Sequence, residues 1–230
     1  MKIKLSLFTL VVVFIAASTD MNAQELGKFE SSITKKVGPK TVAVPYTDVV
    51  SYLGYAAAGN EDEEKEGKKF YYIYVWIPAV APELGVRMMS PAPEKAPKNA
   101  TEAAEYVANK DSKDFFDTYI TLERSNIASK DGITEEGAAS AKWTTLAKND
   151  DSSDMPKNPG GQAYNSLLRY ESETGDPLKA LTAGLYRIGF TTYKKGDVNG
   201  TFVAEVASPV KLPGVAVAKT IPELLEMMAK

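Results

Sequence analysis

The stretch that decides the fold class is FYYIYVWIP, Phe70 to Pro78, the clearest β-strand pattern in the chain. Successive side chains of a β-strand point to opposite faces. One face of this strand would carry Tyr71, Ile73, Val75 and Ile77, and the other would carry Tyr72, Tyr74 and Trp76. Because neither face is polar, both should be covered, which is typical of a central strand in a packed sandwich. The alternative interpretation is that the aromatic face binds a ligand.

Further short strands are predicted on both sides of this stretch from runs of β-branched and aromatic residues. These runs lie at 41–55 (two strands, the second at 49–55), 115–124, 164–170, 185–193 and 201–207. The last two are predicted to form a hairpin, because 194–200 contains several turn-forming glycine, aspartate and asparagine residues.

Helix signals are few. A short helix is predicted at 99–110 with Asn99 as its cap, and a terminal helix is predicted to begin at Pro222. Residues 125–154 are predicted to form loops and at most a helical turn. Many short strands with little helix predict a mostly β protein, a single jelly-roll β-sandwich over 41–230 with a few short peripheral helices.

The first residues have the layout of a secretory signal peptide. Lys2 and Lys4 form a basic start, an apolar stretch follows at 5–17, and polar residues lead to Ala23. This pattern predicts a signal peptide over 1–23 and export to the periplasm, the cell surface or the extracellular space. The next segment, 24–40, is polar and is predicted to be flexible. No other stretch approaches about 18 apolar residues, so no transmembrane segment is expected in the mature chain.

Composition excludes several function classes. The chain of 230 residues has a net charge of -3 with acidic and basic residues mixed, so nucleic acid is not expected as a partner. It contains no cysteine and no histidine, which excludes disulfides and cysteine lipidation and disfavours zinc. The usual catalytic triads are also missing, so the sequence predicts no enzyme activity and no catalytic residues. Glu83 and Glu123 are the only acids that suggest a glycosidase pair, and both are expected to be surface acids.

Acidic residues border the predicted sheet at two places. Asp117 lies on the outward side of its strand, and Asp150 and Asp151 lie in a loop that also contains Asp154. Calcium takes six to eight oxygen ligands, which two converging loops can supply. The spacing is not that of an EF-hand. The alternative is an exposed Asp-Ser turn with lysines nearby, and from the residues alone both interpretations stay open.

Five blocks of the sequence resemble the hemolysis-associated protein family, the major surface lipoprotein of pathogenic leptospires. They are PYTDVVSYLGY from Pro45, YYIYVWIPAVAPELGVRMMSP from Tyr71, FDTYITLER from Phe116, YNSLLR from Tyr164 and GLYRIGFTTYKKGDVNGTFVAEV from Gly184. The blocks follow the family's order with similar spacing and extend over 45–214. The resemblance implies a jelly-roll β-sandwich with added helices, related in shape to collagen-binding adhesin domains.

The resemblance also implies a Ca²⁺ site. Family members bind calcium with an Asp-Thr pair, an Asp-Asp pair and a tyrosine, and these positions fall here on Asp117, Thr118, Asp150, Asp151 and Tyr164. All five keep their residue type. The chain departs from the family in lacking the lipid-modified cysteine, in a thinner acidic run, and in a shorter tail ending at Lys230. The family attaches to extracellular matrix through its C-terminal part, so the shorter tail puts that role in doubt.

The expected function is therefore non-enzymatic. The leading hypothesis is a secreted or surface-exposed calcium-binding protein, similar to a spirochaete surface adhesin, that binds an extracellular macromolecule, either a protein or a glycan. The alternative is an envelope structural protein that associates with copies of itself as a homodimer. A carbohydrate-active jelly roll is a third class.

Overall fold

The computed structural model describes residues 26–158, 160–194 and 196–230; the predicted signal peptide lies outside these ranges. Within them the strands are β1 (Glu30–Val37), β2 (Lys40–Pro45), β3 (Thr47–Ala56), β4 (Glu63–Lys65), β5 (Lys68–Ile77), β6 (Glu83–Met89), β7 (Thr101–Glu102), β8 (Thr118–Ser125), β9 (Trp143–Asn149), β10 (Ser166–Glu171), β11 (Gly184–Thr192), β12 (Gly200–Ser208) and β13 (Ala216–Ala218). The helices are α1 (Ala104–Asn109), α2 (Glu135–Ser140) and α3 (Ile221–Met228), with short 3-10 turns at Leu26–Lys28 and Lys130–Gly132.

Two sheets pack face to face. The β6 sheet has the strand order β10-β6-β12-β3-β7, and the β5 sheet has the order β13-β5-β11-β8-β9, with β4 paired to β5. All pairs are antiparallel except β3 with β7. The predicted mostly β sandwich with short helices is confirmed.

The core lies between the sheets and contains a cluster of aromatic residues among aliphatic ones. Phe190 of β11 and Phe202 of β12 meet across the interior with ring centroids 4.8 Å apart. Tyr71 and Phe116 stack on Phe190 at 5.4 and 5.9 Å. Aromatic side chains bury about 150–250 Å² each, so this cluster contributes a large apolar contact between the two sheets.

Strand β5 is covered on both faces, as its sequence predicts. Ile73 and Ile77 are fully buried in the core between the sheets. On the opposite face, Trp76 packs in a second cluster with Leu224 of α3. The aromatic face is therefore used largely for packing.

The predicted hairpin of the last two long strands is wrong. β11 pairs with β5 and β8, whereas β12 pairs with β3 and β6 in the other sheet. The connection at 193–199 therefore crosses from one sheet to the other. Turn-forming residues reverse the chain direction without choosing the partner, and both strands are buried throughout, so each needs a neighbour on either side.

The first helix is shorter than the predicted range of 99–110. α1 begins after Ala103, which makes no capping bond, and Asn99 has a φ of 58° in the chain before β7. Val107 is 51% exposed, and Tyr106 is the buried contact of the helix. The prediction of α3 is confirmed, with Thr220 and a glutamate three residues later forming a reciprocal capping box.

Several elements were not predicted, among them strands β6 and β9. Strand β9 and helix α2 lie in the region predicted to form loops and at most a helical turn, and β6 contains two charged residues that are buried. In the segment predicted to be flexible, Leu26 is fully buried and β1 pairs with β2. A search of the described residues for a helix long and apolar enough to cross a membrane finds none.

Candidate functional site

The sandwich brings the start of β8 next to the chain that enters β10. The backbone N–H of Thr118 donates to the carbonyl oxygen of Tyr164 at 3.1 Å, and the Thr118 hydroxyl donates to the same oxygen at 3.1 Å. Residue 118 opens β8 in the β5 sheet, whereas residue 164 lies just before β10 in the β6 sheet. The site therefore lies at an edge where the two sheets meet.

Ser166 ties a third segment to this edge. Its hydroxyl oxygen lies 2.8 Å from the Thr118 hydroxyl and donates to the Thr118 carbonyl oxygen at 2.7 Å. The same hydroxyl contacts the carbonyl oxygen of Asp150. The N–H of Ser152 donates to the Asn165 carbonyl oxygen at 3.2 Å, which fixes the chain on the other side of Asp151. Ser166 was not predicted as part of the site. Its position two residues after Tyr164 is only a weak indication in the sequence.

All five residues predicted as calcium ligands are thus brought to one edge of the sandwich, which we call the acidic edge. Thr118 is buried, while the side chains of Asp151 and Tyr164 reach solvent. Asp154, from the same loop, is not one of these five residues, and its carboxylate forms an ion pair with Arg169 at 2.8 Å.

The three carboxylates of the acidic edge interact electrostatically. Burial, together with the negative charges of Asp151 and Asp150, raises the pKa of Asp117 to about 6. The positive charges of Lys194 and Lys68 offset part of this shift. Burial and the charge of Asp150 also raise the pKa of Asp151. Mutual repulsion among close carboxylates therefore opposes their ionisation.

One carboxylate oxygen of Asp117 lacks any partner. Its Oδ1 atom is buried and makes no hydrogen bond within the described residues. Within the same residues, neither Asp150 nor Asp151 forms an ion pair, so nearby lysines do not neutralise them directly. A buried polar atom without a partner costs about 1–3 kcal/mol, and more when it is charged. The acidic edge therefore has a local imbalance of charge, with an excess of negative charge.

A hard cation would compensate this negative charge, whereas the hydrogen bonds of the acidic edge leave one Asp117 oxygen without a partner. Calcium is coordinated by carboxylate, hydroxyl and carbonyl oxygens, and all three kinds of oxygen are present at the acidic edge. As the side chains stand, no three acidic groups of the described chain are close enough together to hold a metal ion. A bound ion would therefore require the side chains to rearrange.

Exposed aromatic side chains border the acidic edge. Phe115, Tyr164 and Tyr193 are 40%, 37% and 54% exposed. The Lys68 ammonium lies 5.0 Å from the ring centroid of Tyr119 and 5.7 Å from that of Tyr193. We call these four aromatic residues the aromatic rim.

Glu83 and Glu123 do not form a catalytic pair. Both were expected at the surface, and both are buried, at 0% and 2% exposure. Glu83 accepts a hydrogen bond from the Tyr46 hydroxyl on the outer face of the β6 sheet. Glu123 pairs with Arg187 at 2.7 Å on the outer face of the β5 sheet. The two acids lie on opposite faces of the sandwich, so they border no common cleft.

Comparison with known proteins places most of this architecture in one family. A family model described as the surface lipoprotein of the Spirochaetales order matches residues 40–217. A comparison with curated proteins finds no match. The matched segment covers well over half of the chain and contains the whole acidic edge. The chain therefore belongs to the surface lipoprotein family of the Spirochaetales order.

Proposed function

We propose that this surface protein is a non-enzymatic calcium-binding module, with the ion held at the acidic edge. The observation that carries the proposal is the buried, unpartnered Oδ1 of Asp117, which lies in the field of two further aspartates. Asp117, Asp150 and Asp151 would supply carboxylate oxygens, and Thr118 and Tyr164 would supply neutral oxygens. The ion would neutralise the repulsion among the carboxylates.

The proposed ion is structural. It would tie together the start of β8, the end of β9 and the chain entering β10, three segments that Ser166 already links by hydrogen bonds. Extracellular calcium modules have dissociation constants on the order of 0.1–1 mM. At about 1 mM free calcium, such a site adds roughly 1 kcal/mol to the free energy of unfolding.

We further infer that the aromatic rim is the surface that recognises an extracellular macromolecule. Tyrosine and phenylalanine are enriched in binding interfaces because each buries a large area with few rotatable bonds. Tyr164 belongs to both the acidic edge and the rim, so an ion that fixes its loop would also fix part of the binding surface. Calcium and macromolecule binding should therefore strengthen each other.

Strand β9 favours self-association as a second candidate function. It is the last strand of the β5 sheet and pairs only with β8 in the described residues, and Thr144 and Thr145 on it are exposed. An open sheet edge can pair with a copy of itself. Sedimentation velocity at micromolar concentration tests this candidate, which predicts a dimer and is contradicted by a monomer.

Thermal unfolding with calcium and with a chelator tests the calcium proposal. The unfolding midpoint of the wild-type protein should rise by about 2–4 °C in millimolar calcium, the shift that about 1 kcal/mol gives in a chain of this size. Asp150→Ala should lose this rise. Asp154→Ala is the matched control, because its carboxylate is paired with Arg169, and it should keep the full response. A wild-type midpoint that is the same with calcium and with chelator would leave an exposed Asp-Ser turn as the better interpretation.

A further inference from the structure

The β1–β2 hairpin stands apart from both sheets of the sandwich. Its two strands pair only with each other in the described residues. Every residue from Thr34 to Val42, at the turn end of the hairpin, is exposed to solvent. We call this part, residues 34–42, the hairpin end.

The hairpin end is positively charged in a protein that is negative overall. It contains Lys35, Lys36 and Lys40 and no acidic residue, whereas the chain has a net charge of -3. Within the described residues none of the three lysines takes part in an ion pair, although seven other lysines and arginines do so, among them Lys69 and Arg169. Their charges are therefore available to an outside partner.

One face of the hairpin end combines two of these charges with apolar side chains. Lys35 lies opposite Val42, and Val37 lies opposite Lys40. Residues two apart on a strand share a face, so all four side chains lie on the same side of the hairpin. Val37 and Val42 are 54% and 37% exposed. This face is therefore basic and apolar at once.

The base of the hairpin is held firmly. The N–H of Ser32 donates to the buried carboxylate of Glu83 at 3.0 Å, and the Tyr46 hydroxyl donates to the same carboxylate. The Arg169 guanidinium donates to the carbonyl oxygen of Glu30 at 2.9 Å. The exposed hairpin end thus projects from a base that hydrogen bonds hold in place. Less conformational entropy is therefore lost when a partner binds.

We propose that the hairpin end docks the protein on an anionic lipid surface, with the lysine ammonium groups on lipid phosphates and the valine side chains between head groups. Lysine near an apolar residue can bury its methylenes while its charge reaches the phosphates. The exposed valines favour lipid over nucleic acid, since a phosphate backbone offers them no apolar contact.

Docking through the hairpin leaves the acidic edge free. The hairpin base contacts Glu83, which pairs with Glu171 at one end of the β6–β10 ladder. The acidic edge contacts Ser166, which pairs with Met88 at the other end of that ladder. The protein can therefore lie on a membrane by one end while the aromatic rim remains accessible.

Vesicle co-sedimentation tests this proposal. Wild-type protein should sediment with phosphatidylcholine vesicles that contain 30% phosphatidylglycerol and should stay in solution with pure phosphatidylcholine vesicles. Each lysine near an anionic membrane contributes about fivefold in affinity, so Lys35→Gln/Lys36→Gln/Lys40→Gln should bind on the order of 100-fold more weakly. Val37→Ser should weaken binding by a smaller factor, and added inorganic phosphate at constant ionic strength should not release the protein.

The matched control is Lys95→Gln/Lys98→Gln/Lys130→Gln, which removes the same charge from exposed positions elsewhere. It should bind as the wild type does, and circular dichroism should show all variants folded. The proposal is overturned if the wild type ignores anionic vesicles, or if both triple variants lose affinity equally. Binding to an acidic polymer such as heparin without binding to vesicles would also overturn it.

Discussion

Carboxylates occupy two contrasting environments in this protein. On the outer face of the β6 sheet, Glu205 is fully buried but has three partners: Arg87 at 2.5 Å, the Ser51 hydroxyl at 2.9 Å and the N–H of Leu26 at 2.7 Å. At the acidic edge, Asp117 is only half-buried, and one of its oxygens has no partner. Hydrogen-bond and ion-pair partners, more than burial, therefore decide whether an acid stabilises the fold or keeps an oxygen open to the proposed ion.

Removing the counter-ion of the partnered acid, Glu205, should have the larger effect on the free energy of unfolding. Arg87→Met leaves the Glu205 charge buried without its counter-ion, which should lower the free energy of unfolding by about 3–5 kcal/mol. Chemical denaturation with urea measures this loss. Lys179→Met is the control, because its pair with Glu173 is about half exposed on both sides and should be worth less than about 1 kcal/mol. Equal losses in the two variants would show that the comparison is wrong.

Neutralising the unpartnered acid should have a smaller effect of opposite sign. Because the folded-state pKa of Asp117 is about 6 and its ordinary value is 3.8, the folded state binds more protons than the unfolded state between these values. The wild-type free energy of unfolding should therefore gain from Asp117 as pH falls from about 7 toward 4 in the presence of chelator. Asp117→Asn cannot titrate, so it should lack this contribution and be the more stable protein at pH 7 without calcium.

Thermal melts of both proteins from pH 4 to pH 8 in chelator check this prediction, and the informative quantity is the difference between their midpoints at each pH. The difference should shrink as the pH falls. A difference that stays constant across the range would mean that Asp117 is not held in its charged form against repulsion.

The fold was predictable from the sequence to the extent that side-chain alternation reports burial. The period of β5 predicted a strand covered on both faces, and Pro222 marked the start of α3. The partners of β11 and β12 were not predictable, because turn residues between two strands do not say which sheet each strand joins. β6 was missed although its apolar residues alternate with Glu83, Gly85 and Arg87, and the bonds that let Glu83 and Arg87 be buried have no signal in the sequence.

The candidate site was predictable only through the resemblance. Spacing alone favoured an exposed turn for the two aspartates of the 150–151 loop, since the proposed ligands come from segments distant in sequence. The hydrogen bonds of Thr118 with Tyr164 and Ser166 join these segments, and pairing between separate loops of two sheets leaves no periodic signal in the sequence. The orphaned oxygen of Asp117 depends on the same packing and likewise has no sequence signal.

A crystal structure of the wild-type protein grown in millimolar calcium is the decisive test of the calcium site. We expect one ion within about 2.3–2.6 Å of an Asp117 carboxylate oxygen, with further oxygens from the 150–151 loop around it. Electron density that shows Asp117 without an ion, at a calcium concentration well above 1 mM, would mean that the acidic edge does not bind calcium.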